Sequence, residues 1–157
     1  MAKKQHLTLP EELSFRIAKE SNRNLRRALL MLETAYVQHG GQLEATSEVQ
    51  ATDWELYVRQ IATEITQEQS PQKLIATRER LYELLINCIP PSIILKTLVF
   101  ELCRTLDDSL SHQVIKWGAF YEHRIASNPG GKDIFHLEAF VAKYMAIYKK
   151  FLNDMFA

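Results

Sequence analysis

The chain is poor in the residues that interrupt regular structure, with five glycines and five prolines among 157 positions. Cysteine is scarcer still. Cys88 and Cys103 fall inside apolar helical patterns and neither has a C-x-x-C partner, so both are expected as buried, reduced thiols of a cytosolic or nuclear protein. No net charge remains, because 19 Lys plus Arg offset 19 Asp plus Glu. A chain built by itself to grip nucleic acid would carry a basic excess, since each phosphate contact releases counterion. No stretch resembles G-x-x-x-x-G-K-[ST], so there is no phosphate-binding loop. No apolar run reaches the ~18 residues of a membrane span, and no charged and apolar leader opens the chain. Length fits one domain, or a small one plus a piece of another.

What is present is helical throughout. Thr8-Leu9-Pro10-Glu11 has the form of a capping box and predicts a short helix to about Glu20. Ser21-Asn22 breaks it and is expected to cap a second helix that runs to about Gln38 and ends at Gly40-Gly41. Residues 42–51 lack periodicity and read as a linker. Thr52-Asp53-Trp54-Glu55 opens a second block, with Trp54, Val58, Ile61 and Ile65 on one stripe. Ser70-Pro71 starts the next helix, with Leu74, Leu81, Leu85 and Cys88 on a face. Pro90-Pro91 ends it and begins another from Ser92 to Leu106, apolar almost all round, with Thr97, Glu101, Arg104 and Thr105 making a narrow polar stripe. Asp107-Asp108-Ser109 leads into a segment with Leu110, Val114, Trp117 and Tyr121 in register, and Asn128-Pro129-Gly130-Gly131 marks a turn.

The final helix, from about Asp133 to Phe156, has more apolar surface than one core contact requires. Ile134, Leu137, Val141, Tyr144, Tyr148, Phe151 and Met155 make one stripe, and Phe135, Ala142, Met145, Leu152 and Phe156 make another. Phe140 and Ile147 add a third side. A surface helix needs a stripe of only about 100°. The excess fits either a central position in the bundle or a docked partner, for which Phe140, Tyr144, Ile147, Tyr148 and Phe151 are the candidate residues.

Arg23, Arg26 and Arg27 lie together at a helix start, where guanidinium charge and backbone N–H groups suit an anion. The tract R-N-L-R-R-A-L-L, Arg23 to Leu30, resembles the arginine-bearing "sensor 2" helix of an AAA+ lid. Three further stretches carry the same likeness: L-Y-E-L-L-I-N-C-I-P-P from Leu81, F-Y-E-H-R from Phe120, and F-H-L-E-A-F-V-A-K-Y-M-A-I-Y-K-K-F from Phe135. Together with Asp53-Trp54-Glu55 and Ser70-Pro71-Gln72-Lys73-Leu74, they resemble the small subunits of the eukaryotic clamp loader replication factor C. Sibling subunits usually place Gly-Asp where this chain has Arg23-Asn24, which favours the subunit 3 branch.

That resemblance implies an all-α chain: the last helices of an AAA+ lid over residues 1–39, a linker over 40–51, and a C-terminal helical collar domain over 52–157. Lys3-Lys4 then looks like the tail of a lid helix already under way, and the nucleotide-binding domain is missing. The implied role is that of a non-catalytic piece of a nuclear replication and repair machine. Its partners would be the other replication factor C subunits and, through the whole complex, the sliding clamp and primer–template DNA. Arg26 matches the arginine that reaches the nucleotide phosphates, so ATP and Mg would concern only an intact subunit, with no cofactor in this piece.

Rival readings rest on single features. A small helical DNA-binding protein could use Arg23, Arg26 and Arg27. A bundle-core metal enzyme would need Glu-x-x-His pairs, of which only Asp133-x-x-His136 comes near, without partners. Trp54, Trp117, Tyr121 and Tyr148 could stack bases, but helical spacing assigns them to the core. Lys149-Lys150 reads as a solvated helix end.

Overall fold

The computed structural model describes residues 7–21, 23–47, 49, 51–127 and 132–155, with 156 as backbone. Among the described residues there are seven α-helices and no strand. They divide into two compact units at residue 53.

The first unit holds α1 (Glu11–Glu20) and α2 (Leu25–Gln38). The capping box expected at Thr8 does not form. Pro10 itself is the N-cap, and a proline there brings no side-chain acceptor to the first amides. The start of α2 also differs from expectation, since the cap is Asn24, whose carbonyl accepts from the Arg27 amide at 3.2 Å. Asn is among the best N-cap residues because a short side-chain acceptor reaches the free amides of the first turn. Arg23 therefore precedes the helix, in a left-handed conformation at φ 64°. At the other end of α2, Gly40 and Gly41 take φ 60° and 90°, and the Gly41 amide bonds back to Tyr36 O at 2.9 Å. Leu13, Ile17 and Met31 form a small core. The stretch read as a linker packs back onto this unit: Leu43 and Val49 cover that core, and the Arg16 guanidinium donates to Ala45 O and Ser47 O.

The second unit is a five-helix bundle of α3 (Asp53–Gln67), α4 (Pro71–Ile86), α5 (Pro91–Cys103), α6 (Asp108–Ser127) and α7 (Asp133–Phe156). Its helix starts follow the predicted signals. Ser70 Oγ accepts from the Lys73 amide at 3.1 Å with Pro71 in the first turn, and Pro90 caps α5 with Pro91 behind it. α5 packs on α3 and α6, α7 packs on all four others, and their apolar sides fill the centre. The core runs through Val58, Ile61, Ile65, Leu81, Ile94, Leu98, Leu102, Val114, Leu137 and Val141. α5 and α6 approach closely at Gly118, where an added Cβ would stand 2.7 Å from Val99 Cγ2. α5 stops at Cys103, earlier than expected, as the Thr105 amide and hydroxyl both turn back to Leu102 O.

Cys88 departs from the buried role expected of it and is exposed. It sits just past α4 at φ 58°. Its amide bonds to Leu85 O at 3.0 Å, and that of Ile89 bonds to Leu84 O at 3.2 Å. These two bonds make a Schellman ending, which throws the left-handed residue outward while Leu84 and Ile89 turn inward. Cys103 is half-buried, and burial raises its thiol pKa above 9.0. The turn at Asn128 to Gly131 and the Lys3-Lys4 segment lie outside the described residues.

Candidate subunit interface

α7 is the longest helix of its bundle, at 24 residues against 15 in α3, 16 in α4 and 20 in α6. At 1.5 Å per residue its excess over α4 is about 12 Å, so its last turns overrun a neighbour. Most of the first half is enclosed, Phe135 apart. Ile134, Leu137, Phe140, Val141, Tyr144 and Met145 are all buried. This corrects two of the residues proposed for docking: Phe140 is 1% and Tyr144 2% exposed, both covered by the chain's own side chains. The reason is that α7 touches four helices, so Phe140 and Tyr144 find internal contacts although they stand on different sides of it.

Tyr144 is fixed in that interior by a hydrogen bond. Thr66 Oγ1 donates to Ala62 O at 2.8 Å, so at 2.7 Å the Tyr144 hydroxyl must donate to Thr66. Burial pushes the phenol up to about 12.

From residue 146 onward the enclosure ends. Ile147, Tyr148, Phe151 and Leu152 are half-buried, and Met155 is 64% exposed. Tyr148 stacks on Tyr144 with centroids 5.8 Å apart, so it bridges the covered and uncovered halves. Three of the five candidate residues thus share the uncovered turns, at positions 147, 148 and 151 on adjoining sides of the helix.

A second apolar area went unnoticed in the sequence. Ile75, Tyr82 and Ile86 on α4 and Phe135 on α7 are exposed. Arg78 ties the two helices, 5.9 Å from the Tyr82 ring centre and 5.6 Å from that of Phe135, and pairs with Glu138 at 3.4 Å. Its signal was available: 75, 82 and 86 fall off the core stripe of α4 yet share a side. Beside it lies an open apolar recess at the α4–α5 turn, lined by Tyr82, Ile86, Ile89 and Pro91.

In the first unit the three arginines are not equivalent. Arg26 is exposed in the first turn of α2, Arg27 is half-buried, and Arg23 stands outside the helix. They do not form one helical face. Arg26 makes no ion pair among the described residues, so its charge is available at a helix N-terminus. No group of His, Cys, Asp and Glu among the described residues is arranged to hold a metal, and no helix is long and apolar enough to cross a membrane.

Residues 54–152 match the family described as "Replication factor C subunit 3, C-terminal domain", and residues 1–37 match "RCF1/5-like, AAA+ ATPase lid domain". The chain is similar to "Replication factor C subunit 3" of Arabidopsis thaliana, 51% identical over 160 residues that cover 99% of this chain and 43% of the relative. It is 50% identical to the human protein of the same name over 154 residues, 98% of this chain and 42% of that one. With "Replication factor C subunit 5" of Oryza sativa subsp. japonica it shares 52% identity, over 99% of this chain and 43% of the relative. The chain therefore spans about two-fifths of the length of these relatives.

Proposed function

Given that the chain belongs to the replication factor C small-subunit family, we propose that it supplies the collar contact that holds a clamp loader together. In this reading residues 52–157 act as the collar, residues 1–39 as the end of an AAA+ lid, and 40–51 as the connection. The chain carries out no catalysis by itself. With other replication factor C subunits it serves a nuclear complex that loads the sliding clamp on primer–template DNA in replication and repair. Arg26 meets nucleotide phosphate only where a phosphate-binding domain stands beside it.

The observation that carries the reading is the uncovered end of α7, where Ile147, Tyr148 and Phe151 remain half-exposed after the bundle has closed. Fully burying a side chain of this size contributes roughly 1.5–3 kcal/mol, so a few of them can dominate a seam. The test is co-expression with the remaining replication factor C subunits. Ile147→Asp together with Phe151→Asp is expected to cut co-purification about tenfold or more, with the circular dichroism melt of the isolated chain nearly unchanged. Recovery equal to the unaltered chain would refute the seam.

A further inference from the structure

The bundle treats its cations in two ways. On α3 and α4 they are matched by carboxylates of the same unit, Arg59 with Glu101, Lys73 and Arg80 with Glu64, and Arg78 with Glu138, whereas Lys96 of α5 joins no ion pair among the described residues and lies 6.0 Å from the Phe100 ring centre. On α6 and α7 they are not. Among the described residues Lys116, Arg124 and Lys143 join no ion pair. Two of them lean on aromatic rings instead. Arg124 lies 4.9 Å from the Phe120 ring centre, and Lys143 of α7 lies 4.3 Å from that of Trp117. The two rings meet edge to face at 5.5 Å, so the cations and aromatics form one continuous cluster across both helices. Phe120 is 43% exposed, and Lys116 stands one turn before it on the same side of α6.

Among the described residues no carboxylate pairs with Lys116, Arg124 or Lys143. Glu122 is two residues from both Phe120 and Arg124, which places it on the opposite side of α6. Glu138 is held by Arg78. Asp133 and Asp154 lie ten or more residues from Lys143 along α7, about 15 Å away. In a chain of zero net charge, an unneutralised cationic side with an apolar floor has a direction: its complement is anionic and partly apolar.

We propose that the α6–α7 face around Lys116, Trp117, Phe120, Arg124 and Lys143 docks an acidic, amphipathic segment of a partner protein. Its carboxylates meet the three cations, and its apolar residues cover the exposed edge of Phe120. A nucleic acid fits less well. Arg124 and Lys143 each cover one face of the Phe120 and Trp117 rings, and the two rings press edge to face on each other, which leaves less ring face for bases to stack on. This face adjoins the seam, since Ile147 stands one turn after Lys143 on α7, but its test needs no assembly.

The probe is a synthetic helical peptide with Glu and Leu at amphipathic spacing, titrated by fluorescence anisotropy against the whole chain at low salt. Binding is expected, to weaken about tenfold when ionic strength rises to physiological or when Lys116→Glu and Lys143→Glu are combined. The same peptide with Lys in place of Glu should not bind. The single variant Arg124→Gln, which keeps a polar chain at an exposed position, should give a smaller loss of the same sign. Absence of binding by the acidic peptide overturns the proposal. So does a short duplex DNA that binds as tightly and is lost with the same variants, because the face would then belong to nucleic acid.

Discussion

Cys88 holds a backbone conformation that suits glycine, at φ 58°. A side chain with a Cβ costs roughly 1–2 kcal/mol in the left-handed region. Cys88→Gly should therefore raise stability by about 1 kcal/mol, less the entropy glycine gains in the unfolded chain, as read by urea denaturation. A lower midpoint would show that the thiol itself contributes. Glu64 gives a pH-dependent prediction. Hydrogen bonding from Lys73 at 2.6 Å, with the Arg80 charge at 2.7 Å, holds its carboxyl below the ordinary 4.5. In the fold it stays ionised where the unfolded chain would take up a proton. Its stabilisation is full above about pH 4.5 and is lost as pH falls toward the lowered value. Glu64→Gln should flatten the acid limb of a pH–stability curve below 4.5 while lowering the plateau above it. An unchanged acid limb would mean that other carboxylates govern it. Tyr144 is the third case at this scale. Tyr144→Phe keeps the ring and removes its donation to Thr66, for a loss of about 1 kcal/mol in the same urea assay.

At the scale of elements, signals that act through the backbone were legible in the sequence, and those that depend on a choice between neighbours were not. Pro71 and Pro91 mark helix starts because a ring-fixed φ and a missing amide suit only the first turn. The start of α2 was misplaced because Ser21, Asn22 and Asn24 are all acceptable caps, and only the path of the chain selects Asn24. Asn24→Ala should weaken the first turn of α2 by about 1 kcal/mol, seen as faster amide exchange at Arg27 and Ala28. Exchange rates like those of the unaltered chain would show the cap to be dispensable. The α5–α6 contact makes a stronger demand. At Gly118 a larger side chain meets Val99, a stiff β-branched residue, so Gly118→Leu should cost several kcal/mol, above the ~1 kcal/mol gained from helix propensity. Thermal melts resolve a difference of that size.

For the whole molecule, the likeness to replication factor C small subunits and the all-helical character were both present in the order of residues. Helix content follows from local rules, namely the 3-4 spacing of apolar positions, the caps and the scarcity of breakers, and local rules survive without coordinates. The division of α7 into a mostly buried first half and an open second half was not legible, because the apolar stripe at 3-4 spacing continues from Ile134 to Met155. Phe140 and Phe151 are the same residue type on the same helix, yet Phe140 is enclosed and Phe151 is half-exposed. What separates them is the length of the helices packed alongside, a property of other segments. The cationic face of α6 was hidden for the same reason, since Lys143 reaches Trp117 only after two helices distant in sequence have packed. The amino-acid order determined which segments are helices and how much greasy surface each has to cover. Tertiary packing alone decided which of that surface is left over, because burial depends on the neighbours a residue acquires and not on the residue itself.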